Sequence, residues 1–179
     1  MCKIINILIN RRRKLVKKKW NRVLPLNEYF SNRWVKANYL KFGEGSSIYD
    51  SAYVYGNVSV GKNTWIGPFV ILDGSNDLFI GDNCDISAGV QIYTHDTIKK
   101  HINKSIQCSN SPENDIGRNS VYIGDNVYVG PNTVISKGIK IENNVIIGAN
   151  SFVNKNIPAN FKAIGSPVKL IPIDYMTES

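Results

Sequence analysis

The stretch 123–153, IGDNVYVGPNTVISKGIKIENNVIIGANSFV, decides the fold. An aliphatic residue returns in it at every sixth position: Ile123, Val129, Ile135, Ile141, Ile147 and Val153. Working back, the same beat runs Ile48, Val54, Val60, Ile66, Leu72, slips by two residues, and resumes at Ile80, Ile86 and Ile92. No lattice position is charged. A fixed internal period is the mark of a repeat architecture and outranks local propensity.

The beat has substructure. Glycine often follows the aliphatic, as at Gly61, Gly67, Gly81, Gly124, Gly130 and Gly148. Four residues after the aliphatic comes a small or β-branched residue, among them Ala52, Thr64, Val70, Cys84, Val90, Val127, Thr133, Val145 and Ser151. Helices repeat at 3.6 and strands at 2, and neither alone gives six. Short strands joined by tight corners do, with the aliphatic pointing inward, the glycine relieving the corner and the small residue filling the remaining interior. Each rung then pairs with the rung above. A β-sandwich would space its strands irregularly by about 8–12 residues.

Charge is unevenly placed. Residues 1–41 carry twelve Lys/Arg against Glu28 alone, whereas the rest of the chain holds ten basic and thirteen acidic residues. The basic run Arg11–Trp20 follows a short apolar stretch, Ile4–Ile9, which is too short to span a bilayer and has its charges on the wrong side for a signal sequence. Two readings follow for residues 1–20: peripheral contact with an anionic membrane surface, or a solvated helix that packs beside the solenoid and caps its end. Nothing resembles a nucleic-acid recognition module, so no nucleic-acid partner is expected. Three widely spaced cysteines (Cys2, Cys84, Cys108) argue against a disulfide framework and fit a cytoplasmic location. Cys84 falls on an inward position, and Cys108 has no neighbour that would activate it as a nucleophile. No metal-ligand pattern is present, and two histidines are too few for a three-histidine zinc hydratase.

The beat fails after Ile92, where Tyr93-Thr94-His95-Asp96-Thr97 leads into a polar segment running to Ser120. A long loop inside a regular solenoid is a binding wall or lid more often than filler. His95 stands at its root, and an imidazole titrating near neutrality suits proton abstraction. Asp96 is its sequence neighbour, but adjacent side chains on an extended segment point to opposite faces. Asp96 is therefore expected to face substrate or solvent, and Tyr93 and Asp96 are candidate substrate-binding residues. His101 lies within the loop and is read as a surface residue.

The segments 123–132, Ile147–Pro158 and Ala163-Ile164-Gly165-Ser166-Pro167-Val168-Lys169-Leu170-Ile171 resemble the hexapeptide-repeat acetyltransferases, in the branch of galactoside, maltose, xenobiotic and polysaccharide O-acetyltransferases. The resemblance implies an all-β, left-handed parallel β-helix of about five coils over residues 46–171, with an extruded loop at 96–120. A basic N-terminal helical segment (1–45) and a tail (172–179) flank it. It implies a homotrimer using acetyl-CoA as co-substrate, no metal, and His95 as general base. By position in the family motif, Tyr128, Gly130, Pro131, Ala149, Asn154, Lys155 and Lys169 stand at the CoA site. Pro131 departs from the family by removing an N–H, Asn154 stands where Thr is usual, and Lys169 replaces a frequent Arg. The acceptor implied is a sugar hydroxyl of a bacterial surface glycan or its precursor, the enzyme working in the cytoplasm or at the inner membrane face. N-acetylation of a nucleotide-linked amino sugar is the alternative, and a non-catalytic scaffold is the reading from another class.

Overall fold

A computed structural model describes residues 2–105 and 117–174. Cys108 and the end of the expected tail lie outside the described residues.

Residues 46–164 wind into the expected left-handed parallel β-helix of about five coils. Most rungs are strands of only two residues, because a corner returns every six. Three inward columns follow from the strand registers. One stacks Ile48, Ile66, Ile86, Val129, Ile147 and Ala163. The second stacks Val54, Leu72, Ile92, Ile135 and Val153. The third stacks Val60, Ile80, Ile123, Ile141 and Ile157. All but Val54 are buried. Each buried aliphatic is worth about 1.5–3 kcal/mol, so the columns are the principal source of stability.

The corners correct one sequence expectation. The glycines that follow the aliphatics do not take left-handed backbone; asparagines do, at Asn63, Asn83, Asn126, Asn144 and Asn160, with φ between 52° and 65°. Asn is the non-glycine residue best suited to that region. Their side-chain amides bond along the axis: Asn126 Nδ2 donates to Asn144 Oδ1 at 3.2 Å, and Asn144 Nδ2 to Asn160 Oδ1 at 3.1 Å. The glycines permit close stacking instead. A Cβ on Gly130 would lie 2.5 Å from the Ala149 nitrogen and 2.8 Å from the Gly148 carbonyl carbon.

Both ends of the solenoid are covered. Helix α1 spans Cys2–Trp20 and helix α2 spans Arg33–Tyr39. Asn32 caps α2 by accepting from the backbone N–H groups of Trp34 and Val35. The capping role expected of the N-terminal segment falls to α2, not to the basic helix. The Lys36 ammonium donates to the carbonyls of Tyr49, Asp50 and Ala52, each at 3.0 Å, satisfying the first corner. Burial lowers the Lys36 pKa, and the nearby carboxylates of Asp50 and Glu28 oppose that shift. At the far end Lys169–Pro172 folds back antiparallel on Phe161–Ile164.

The loop interrupts a single coil. Ile86 pairs with Val129 forty-three residues on, whereas Val129 pairs with Ile147 after eighteen, yet the column is unbroken. His95–Asp96 pairs antiparallel with Gly117–Arg118 at the loop's base, and helix α3 (Ile98–Ser105) follows the first of these strands. The start of the loop is thus helical, not irregular.

Candidate active site

The site is built at the corner between the second and third columns. Here the strand Ile71–Ile80 carries the two-residue slip seen in the sequence. The surplus residues turn Asp73 into the space beneath the next coil. Its carboxylate, with a side chain 3% exposed, accepts from the Ser75 N–H (3.0 Å) and Ser75 hydroxyl (2.5 Å) on one oxygen. The other oxygen accepts from the Thr94 N–H (2.9 Å) and Thr94 hydroxyl (3.2 Å), and lies 2.7 Å from His95 Nδ1. Burial pushes the Asp73 pKa up, but the hydrogen bonds from Ser75, Thr94 and His95 outweigh it and hold the carboxyl well below its usual range.

An ionised carboxylate only accepts, so His95 Nδ1 must carry the proton facing it. Nε2 is then left as the basic nitrogen. The His95 side chain is 40% exposed, so the ring is anchored at one edge and open at the other. This is the geometry of a base oriented by a third group.

Asp96 turns away from His95, as alternation requires. It pairs with Lys137 Nζ at 2.9 Å and accepts the Ile98 N–H at 3.1 Å. The hydrogen bond from Lys137 is the main cause lowering its pKa. Asp96 ties the root of the loop to the following coil, and its carboxylate is engaged there. Tyr93, half-buried, donates its hydroxyl to Gln91 Oε1 at 2.7 Å.

The residues matched to the CoA motif do not gather around His95 within one chain. Tyr128 points outward, exposed, on the first face. Gly130, Pro131 and Ala149 form the corner between the first and second columns, where the Pro131 carbonyl accepts the Asn150 N–H at 2.9 Å. Asn154 and Lys155 are exposed at the His95 corner, but two coils on. Lys169 is exposed on the final strand. An exposed aromatic, a close-packed backbone corner and two exposed cations suit a long thiol cofactor that ends in phosphates. Among the described residues no cluster of acidic, histidine or cysteine side chains suits a metal ion.

Sequence reasoning missed Asp73. Its signal was the slip itself: the coil there is twenty residues long, so Asp73 lies in register with Tyr93, two residues from His95.

Comparison with known proteins agrees with this architecture. Residues 116–155 match the family model described as bacterial transferase hexapeptide (six repeats), and residues 79–94 match the hexapeptide repeat of succinyl-transferase. The galactoside O-acetyltransferase of Escherichia coli (strain K12) is 28% identical over 140 residues, covering 76% of this chain. The chain spans 65% of that relative's length, slightly under two thirds. A maltose O-acetyltransferase from Clostridium difficile 630 superposes with a TM-score of 0.59 at 28% identity, over 93% of this chain and 89% of its own. An N-acyltransferase from Bacillus cereus shares the fold, with a TM-score of 0.65 at 20% identity over 75% of this chain and 74% of its own. By its repeat, its coil geometry and these matches, the chain is similar to the hexapeptide-repeat acetyltransferases.

Proposed function

We propose that the protein transfers the acetyl group of acetyl-CoA to a sugar hydroxyl of a bacterial surface glycan or its precursor, on the cytoplasmic side of the membrane. The observation that carries this reading is the His95–Asp73 pair, an oriented and exposed imidazole on the last rung before the loop. The O-acetyltransferase relatives at 28% identity support transfer to a sugar oxygen.

His95 Nε2 takes the proton from the acceptor hydroxyl as its oxygen attacks the thioester carbonyl. The Asp73 carboxylate steadies the imidazolium that forms. As the carbon–sulfur bond breaks, Nε2 returns the proton to the departing thiolate, leaving an acetyl ester and free CoA. Asp73 keeps its charge throughout, because the hydrogen bonds from Ser75, Thr94 and His95 hold its carboxyl well below its usual range. Tyr128, Gly130, Pro131, Ala149, Asn154, Lys155 and Lys169 are the residues that would hold the co-substrate; Tyr93 borders the acceptor. Since Tyr128, Gly130 and Ala149 stand at a different corner from His95, a homotrimer that sets this corner of one subunit against the His95 corner of the next completes the site.

The test is CoA-thiol release from acetyl-CoA over a panel of sugars, nucleotide amino sugars and glycan fragments. Acceptor-dependent release should fall by about 10²–10⁴-fold in His95→Ala. Release that survives the substitution removes His95 from the mechanism. A monomer by light scattering removes the shared site.

A further inference from the structure

Helix α1 lies far from the His95 corner in sequence and contributes nothing to it. It rests on the turn Asn27–Tyr29, where Arg12 Nε donates to the Tyr29 carbonyl at 2.8 Å and the Arg13 guanidinium stands 5.9 Å from the Tyr29 ring. Ile9 and Val16, one heptad apart, are its half-buried apolar residues. At about 100° per residue, Ile4, Leu8 and Leu15 fall within roughly 40° of one another on a different side of the helix. They are 67%, 54% and 52% exposed. Arg11 and Lys18 flank that stripe on one side and Lys19 on the other. At the helix end the exposed Trp20 ring lies under Lys19 Nζ at 4.9 Å.

A solvated helix face has no use for three large aliphatics in a row, and the core is fully served by other residues. A stripe of aliphatics bordered by Lys and Arg complements a surface that is apolar beneath and anionic above. The seven Lys/Arg between positions 11 and 19 rule out a crossing, and no helix among the described residues is long and apolar enough to cross a membrane.

We propose that α1 docks in the plane of an anionic lipid bilayer, with Ile4, Leu8 and Leu15 among the acyl chains and Arg11, Lys18 and Lys19 on the headgroup phosphates. The occupant is a lipid surface, not a nucleic acid, because phosphate binding alone leaves the aliphatic stripe unexplained. The inference uses no residue of the His95 site and stands apart from the acetyl-transfer reading.

The experiment is flotation of the full chain with phosphatidylcholine vesicles, with and without about 30% phosphatidylglycerol. Binding is expected only with the anionic lipid and should be lost in about 0.5 M salt. The triple substitution Arg11→Gln, Lys18→Gln, Lys19→Gln should weaken partitioning by about 100-fold, near fivefold per charge. The triple substitution Ile4→Ser, Leu8→Ser, Leu15→Ser should also abolish flotation while the circular dichroism and the molar mass stay unchanged, since the stripe is outside the core. Failure to float overturns the proposal. So does flotation that the serine variant retains, which would be adhesion of a polycation that a duplex oligonucleotide would capture equally. A fall in molar mass in the serine variant also overturns it, assigning the stripe to a second copy of the chain.

Discussion

Replacing Asp73 by Asn tests the chemistry of the site most directly. The change keeps the shape but removes the charge and converts one acceptor atom to a donor. The carboxylate now accepts from Ser75 on one oxygen and from Thr94 and His95 on the other. An amide can accept on one side only. If its oxygen faces His95, the imidazolium loses a charged hydrogen-bond partner worth about 1.5–3 kcal/mol, a rate loss of about 10–10²-fold. If its nitrogen faces His95, the proton moves to Nε2 and the buried Thr94 N–H is left unpaired. The rate loss then approaches the ~10²–10⁴ of deleting the base. Either way kcat should fall at least about tenfold with KM little changed, and the loss should vanish in a His95→Ala background. Stability should fall by about 1–3 kcal/mol for the donor left unsatisfied, several degrees in Tm for a chain of this size. The pH dependence has a definite sign. The folded pKa of Asp73 is depressed, so its contribution is fully present above about pH 4 and is lost as acid drives the pH toward the folded value. Wild type should therefore lose stability faster than Asp73→Asn below about pH 4. The assays are steady-state kinetics at neutral pH and calorimetry from neutral to acid. A variant with wild-type kcat refutes the reasoning that Asp73 sets the His95 tautomer.

Two further outcomes follow from the corners. Phe69 holds left-handed backbone (φ 59°) while its ring is exposed, and its stacked counterparts are Gly89, Asn132 and Asn150. Phe69→Asn should raise stability by about 1 kcal/mol, seen in thermal melts; a loss instead would mean the ring is packed in the assembled protein. Gly130→Ala puts a methyl against the Ala149 backbone and should cost about 1–3 kcal/mol in denaturant titrations, and an unchanged midpoint would show that the coils can spread.

The period of six was enough to assign the solenoid, its inward positions and the place of the interruption, because burial in a β-helix depends on spacing alone. It misassigned the corners: glycine after the aliphatic looked like a turn residue, but the left-handed positions went to asparagines two residues later, as at Gly61 and Asn63. Asp73 escaped because chemistry in a solenoid runs across coils, not along the chain. The sequence neighbour of His95 is Asp96, which faces Lys137; its spatial neighbour is twenty-two residues back. Reading the slip as a longer coil, and counting twenty residues instead of eighteen, would have set Asp73 beside the histidine.

The unbroken column on either side of the loop has a consequence for how such a protein changes over time. Ile86 and Val129 meet in register although twenty-five more residues intervene than in the next coil. Each coil contacts only its neighbours, so the fold does not register how much chain leaves and returns at that hairpin base. The insert behaves as an interchangeable part: it can be lengthened, shortened or exchanged without re-solving the packing of the scaffold. His95 stays on the rigid rung throughout, so a lineage can revise the insert while the proposed proton-transfer pair stays fixed.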